Sequence, residues 1–165
     1  MSNKDALRLP VVSLGAEYLA IGYLMRRNVL AYKAPPNNQG YDLICIHPDP
    51  IKSEKVVRVQ VKSRYQTDCD RSFPVKDTTF DSFDYLMVVF LNIGYFFTKS
   101  ARVDGKHDLE IYTIPKKVIE DNHYTPISGF QKARLGKLDL SPYKDSIGIE
   151  LIAKELDVKY PSRGA

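Results

Sequence analysis

Asp42, Gln60 and Lys62 are the residues of this 165-residue chain whose types and spacing best suit chemistry. Gln60 and Lys62 stand two apart near the end of an alternating run, so on a strand they project to one face. Asp42 opens the preceding apolar run. A hard divalent cation such as Mg2+ takes oxygen ligands. Asp42 offers it a carboxylate, Gln60 an amide oxygen, and the Val61 carbonyl lies between them. Such an ion polarises a phosphate oxygen and stabilises charge on the leaving oxygen. Lys62 beside it can hold or help deprotonate an attacking water and stabilise negative charge in the transition state. Glu17 can complete the metal shell through water or bind a second ion. Together these groups suit phosphodiester hydrolysis.

The elements that must position them follow from periodicity. Ser13 reads as an N-cap, and the run after it is helical, ending at Asn28. Leu14, Tyr18, Ile21 and Met25 recur at three- and four-residue spacing as an apolar stripe, widened by Leu24. Glu17 lies inside that stripe, where a carboxylate is costly unless a partner, a metal or a solvated cleft receives it. A rim position paired with a nearby Lys or Arg is the competing reading.

Strands are expected over 29–34, 41–47 and 56–63. Val57, Val59 and Val61 share one face of the last, and Arg58, Gln60 and Lys62 the other. The short link of 48–55 makes the second and third strands an antiparallel hairpin, which can set Asp42 across from the Gln-x-Lys end. Residues 64–79 read as a loop and 80–84 as a short helical turn. The run 85–91 (YLMVVFL) reads as a central strand covered on both faces. Further strands are expected over 95–98 and 109–114, with a turn over 102–108. Pro115 opens a helix, and 146–156 forms a closing helix with Ile149, Ile152 and Leu156 on one side.

The order helix with Glu17, strand with Tyr-Asp-Leu, strand with Val-Gln-Val-Lys resembles the PD-(D/E)XK nuclease superfamily. The resemblance covers residues 13–63 closely and 80–122 in general layout. It implies an α/β domain with a restriction-endonuclease-like αβββαβ core, a mixed central sheet flanked by helices, and Mg2+-dependent cleavage of DNA, with Mn2+ as a substitute. It places the family's helix glutamate at Glu17, its aspartate at Asp42, its second acidic position at Gln60 and its lysine at Lys62. The Gly-x-Asp-Leu-type strand and the Gln-x-Lys ending resemble the branch of group I intron homing endonucleases and the small endonucleases grouped with it. Two departures stand out. Gly40-Tyr41 occupies the place of the family's proline, and Gln60 replaces an acid, which leaves two carboxylates. The expected function is a site-specific homing or restriction-type endonuclease. The alternatives are a structure-selective nuclease, such as a Holliday-junction resolvase, and an inactive DNA-binding module of the same fold. Cutting both strands needs two active sites, so the resemblance implies a homodimer or homotetramer.

Composition sets the frame. The hydrophobic fraction is 44% and the charged fraction 27%, ordinary for a globular chain. We expect one domain over 1–165, with its core over about 13–122 and a basic extension over 123–165. Net charge is +4 and pI about 8.9, compatible with a polyanionic partner. Arg58, Arg64, Arg71, Lys76, Lys132, Arg134 and Lys137 are the candidate DNA contacts, with a solvated basic face as the plain alternative. Tyr65 and Phe73 suit either base stacking or the core. Cys45 and Cys69 form no disulfide framework, and Cys45 reads as a buried small hydrophobe. His47, His107 and His123 lack zinc-ligand spacing. The start MSNKDALRLP holds no apolar signal region, and no apolar run is long enough to span a bilayer, so the expected compartment is the cytoplasm.

Overall fold

The computed structural model describes residues 9–65, 71–93 and 108–160. The strand expected over 95–98 and most of the turn over 102–108 lie outside them, as do Cys69 and His107. Helix α1 spans Leu9–Arg26. It begins ahead of Ser13, because Pro10 is tolerated in a first turn where its missing N–H has no helical acceptor. It ends where Asn28 turns left-handed (φ 65°) and Val29 donates back to the Leu24 carbonyl at 3.0 Å.

The face of α1 that packs on the sheet is not the expected stripe. Ala16, Ala20 and Leu24 are fully buried, whereas Leu14, Tyr18 and Met25 are about half exposed. Among its eighteen residues only Glu17 and Arg26 are charged, so hydrophobicity did not mark one face. The small alanines let the helix axis approach the sheet, and the bulky stripe turns outward.

Strands β1 (Leu30–Lys33), β2 (Leu43–Ile46) and β3 (Val56–Arg64) form an antiparallel meander. β5 (Tyr85–Phe90) pairs parallel with β3, and β6 (Glu110–Pro115) antiparallel with β5. The result is a mixed five-stranded sheet in the order β1-β2-β3-β5-β6. Every residue of β5 is buried, as its unbroken apolar run predicts. Between β3 and β5 the second helix of the αβββαβ order is only a six-residue 3-10 turn, Asp77–Ser82. Helix α2 spans Lys116–Asp121 and α3 Asp145–Glu155.

The loop expected over 64–79 and the basic extension from 123 contribute strands instead. β4 (Ser72–Pro74), β7 (His123–Tyr124) and β8 (Lys132–Arg134) form a small antiparallel sheet, with β8 in the centre. Strands of two or three residues carry too little periodicity to be seen in sequence. Their pairing is held by tertiary burial of Phe73, Ala133 and Leu135.

The core lies on both faces of the large sheet. Val57, Val59 and Val61 pack with α1 and α3 on one face, where Ile149, Ile152 and Leu156 are buried as expected. Leu86, Val88 and Phe90 pack with the small sheet on the other. Cys45 is fully buried, and burial pushes its thiol up to about 12. Tyr65 and Phe73, candidates for stacking on bases, are core residues. Among the described residues no helix is long and apolar enough to cross a membrane.

Arg27 ties the two helices of one face together. Its guanidinium donates to both carboxylate oxygens of Glu150 at 2.8 and 3.1 Å and to the Val158 carbonyl at 3.1 Å. Arg27 is 9% exposed, so removing it strands a carboxylate and a carbonyl. We expect Arg27→Met to cost about 2 kcal/mol, a fall in Tm of roughly 4–8 °C. The bond to Arg27 holds the Glu150 carboxyl below its ordinary value. The pair's stabilisation is therefore complete above the ordinary carboxylate range and is lost as pH falls through the lowered value. Calorimetry across pH should show the gap between wild type and Arg27→Met closing in acid.

Candidate active site

Asp42 sits one residue before β2, and its backbone is clamped on both sides. Its N–H donates to the Val59 carbonyl and its carbonyl accepts from Ala34 N–H, both at 2.8 Å. The strands part here, so Val61 N–H has no partner on β2. The Asp42 carboxylate takes it instead, with Oδ2 accepting at 2.7 Å. The aspartate thus lands against the Gln-x-Lys end, as the hairpin predicts. Gly40, two residues earlier, has φ +94°, and a Cβ there would lie 2.5 Å from Ser82 Cβ. Only glycine fits this approach of the loop to the 3-10 turn, and proline, locked near −65°, is excluded.

Gln60 and Lys62 pair in register with Leu86 and Val88, so they lie on the face opposite α1. The Gln60 side-chain oxygen is buried and has no hydrogen-bond partner. A buried amide oxygen left unpaired costs about 1–3 kcal/mol, and such groups call for a missing ion or water. Burial also sets the electrostatics. It pushes the Asp42 carboxyl above its ordinary value, and the charge of Glu17 adds to the rise. The Val61 N–H, Lys62 and Lys33 oppose it. Burial pulls the Lys62 ammonium below its ordinary value, against the attraction of Asp42.

Glu17 approaches from the α1 face and forms an ion pair with Lys33. This is the rim pairing that competed with the metal reading, although Glu17 remains close enough to perturb Asp42. Lys33 itself was missed. Its signal was its place two after Ala31 on β1, which turns it to the helix side beside a buried alanine. Among the described residues no three His, Cys, Asp or Glu side chains cluster to hold a metal. The donor set is therefore two carboxylates and one amide oxygen. The unpaired Gln60 oxygen, one residue from the Val61 N–H that Asp42 accepts, is of a kind that suits a hard cation.

A groove of roughly 590 Å3 opens over Gln60 and Lys62, walled by Gly40, Lys76, Thr79 and Phe130. A depression of similar size, about 620 Å3, lies between α1 and α3 and contains none of the candidate residues. The basic residues divide. Arg58 is held by Asp84, whose Oδ2 accepts from its backbone N–H at 2.7 Å. Arg64 donates to the Ser72 carbonyl at 2.7 Å and lies over Phe73. Arg71 lies over Phe90 and Tyr112. Lys76, Arg134 and Lys137 are exposed, and Lys132 is half-buried on β8. Only Lys76 among them lines the groove.

The fold is similar to that of a solved bacterial homing endonuclease, I-Ssp6803I. The two superpose with a TM-score of 0.54 over 94% of this chain and 100% of that one, at 15% sequence identity. No protein-family model matches the sequence, and no curated protein matches it. The likeness lies in the fold, an α/β domain with a mixed sheet flanked by helices.

Proposed function

We propose that this protein is a metal-dependent DNA endonuclease of the site-specific homing or restriction type. The observation that carries the reading is the bond of the Asp42 carboxylate to the Val61 N–H, between Gln60 and Lys62, where β2 and β3 part, with the Gln60 oxygen buried and unpaired. The fold shared with a homing endonuclease supports it. Asp42 and Gln60 are the residues that would hold Mg2+ or Mn2+, with the Val61 carbonyl, and Glu17 through water. The ion would supply Lewis-acid stabilisation of the phosphate. Lys62 orients the attacking water and faces the charge that builds on the phosphate oxygens. Lys76 beside the groove neutralises a neighbouring phosphate, while Lys132, Arg134 and Lys137 extend the basic surface. Arg58, Arg64 and Arg71 are tied to protein groups instead. Cutting both strands needs a homodimer or homotetramer. The exposed Leu14, Tyr18 and Met25 of α1, a helix apolar on all sides, support pairing between copies.

Plasmid incubated with protein and Mg2+ or Mn2+ should be cut, and EDTA should stop the cutting. Binding with no cutting in either metal would make the chain an inactive DNA-binding module, and cutting confined to four-way junctions would make it a resolvase. Gln60→Glu restores the missing charge and should tighten Mn2+ binding about tenfold or more in titration calorimetry. Unchanged affinity would remove Gln60 from the metal site.

A further inference from the structure

The connection between β7 and β8, residues 125–131, reads TPISGFQ, and its Gly129, Phe130 and Gln131 line the groove over Gln60 and Lys62. Its tip is a tight turn closed by the Gly129 N–H donating to the Pro126 carbonyl at 2.8 Å, with Gly129 at φ +77°. Turns of this kind favour Gly, Pro, Asn, Asp and Ser at their centre. Ser128 fits one central position, but Ile127 holds the other and is fully exposed, and Phe130 is 62% exposed at the base of the loop. Neither packs on the core, and neither helps the turn.

The loop is anchored at its two ends. The Gln131 side-chain oxygen accepts from the Asp77 N–H at 2.6 Å, and the His123 ring bonds the Val75 carbonyl at 2.8 Å. Ala133, between the strand's flanking cations, is fully buried. Those cations, Lys132 and Arg134, stand just behind the loop, and the Arg134 guanidinium lies 3.4 Å from the centre of the Tyr124 ring. Lys76 and Phe130 line the same groove. An exposed apolar tip on a loop anchored at its base, with Lys132 and Arg134 on the strand that follows it and Lys76 in the same groove as Phe130, Gln60 and Lys62, matches the pattern of side chains that enter between stacked bases while neighbouring cations hold the phosphates.

We propose that the 125–131 loop is a DNA wedge, in which Ile127 and Phe130 press into the base stack beside the scissile phosphate and open a base step. The inference rests on the endonuclease reading and adds to it how the duplex is engaged. The wedge makes apolar contact with bases, so it favours steps that unstack easily, such as pyrimidine–purine steps.

The test uses a duplex that wild-type protein cuts, with 2-aminopurine next to the mapped cut site and Ca2+ in place of Mg2+ to bind without cutting. Wild type should raise the fluorescence severalfold. Ile127→Ser and Phe130→Ala should lose more than half of that rise and lower kcat/KM in Mg2+ by roughly ten- to a hundredfold. Ile51→Ser, an equally exposed change in the link between β2 and β3 at the opposite end of these strands, should match wild type. Because both loop residues are exposed, the variants should keep the wild-type Tm. A flat signal from a wild type that binds and cuts, or full signal and rate in both loop variants, would overturn the wedge alone. A wild type that neither binds nor cuts any duplex would overturn the endonuclease reading, and the wedge with it.

Discussion

Asp42→Ala should lower the rate of DNA cleavage by about a thousandfold or more, while Asp42→Asn separates charge from structure. Alanine removes both the carboxylate and the acceptor of the Val61 N–H. Asparagine keeps an oxygen for that N–H and loses only the charge. Both variants should be inactive, but only the alanine variant should lose stability. In metal-free buffer the asparagine variant should match or exceed the wild-type Tm. Burial raises the Asp42 carboxyl, so the folded chain holds its proton to higher pH than the unfolded chain does. Metal-free wild type therefore loses stability as pH rises from the ordinary carboxylate value through the raised one, and the amide is spared this. A cleavage rate for Asp42→Asn within tenfold of wild type would falsify the assignment of Asp42.

Lys62→Met should lower the cleavage rate by about 10^2- to 10^4-fold, the range of a positioned proton-transfer group. Lys62 is largely enclosed by the groove and the sheet, and burial makes its charged form costly. Methionine fills a similar volume without the charge, so stability should not fall. The sign again separates the two roles. The folded chain releases the Lys62 proton at lower pH than the unfolded chain, so this group adds stability as pH rises from the lowered value towards 10.5. In metal-free protein Lys62→Met should flatten that rise. A variant that cuts at the wild-type rate would leave Lys62 as a wall residue only. If it unfolds, the comparison moves to Lys62→Gln, which keeps a polar end.

Much of the candidate site's geometry was legible in advance because its positions depend on local rules. Period-two alternation over 56–63 put Gln60 and Lys62 on one face, and the hairpin register carried Asp42 to them. The unbroken apolar run of β5 and the spacing of Ile149, Ile152 and Leu156 were equally direct, since each reports which face of an element is buried. Helix α1 defeated the same logic. Apolar all round, it had no polar face to set its orientation, and the sheet selected the alanine face because small side chains allow close approach.

What the sequence by itself determined, then, is the five strands of the large sheet, the hairpin and the adjacency of Asp42 to the Gln60–Lys62 stretch, whose local part follows from neighbours two to about twenty residues apart. Tertiary structure alone decided the pairing of Glu17 with Lys33, the internal anchoring of Arg58 and Arg64, and the small sheet that carries the 125–131 loop to the groove. These depend on contacts between segments whose short strands or single side chains leave no periodic trace, and they form only when burial of Phe73, Ala133 and Leu135 brings distant parts of the chain against the central sheet.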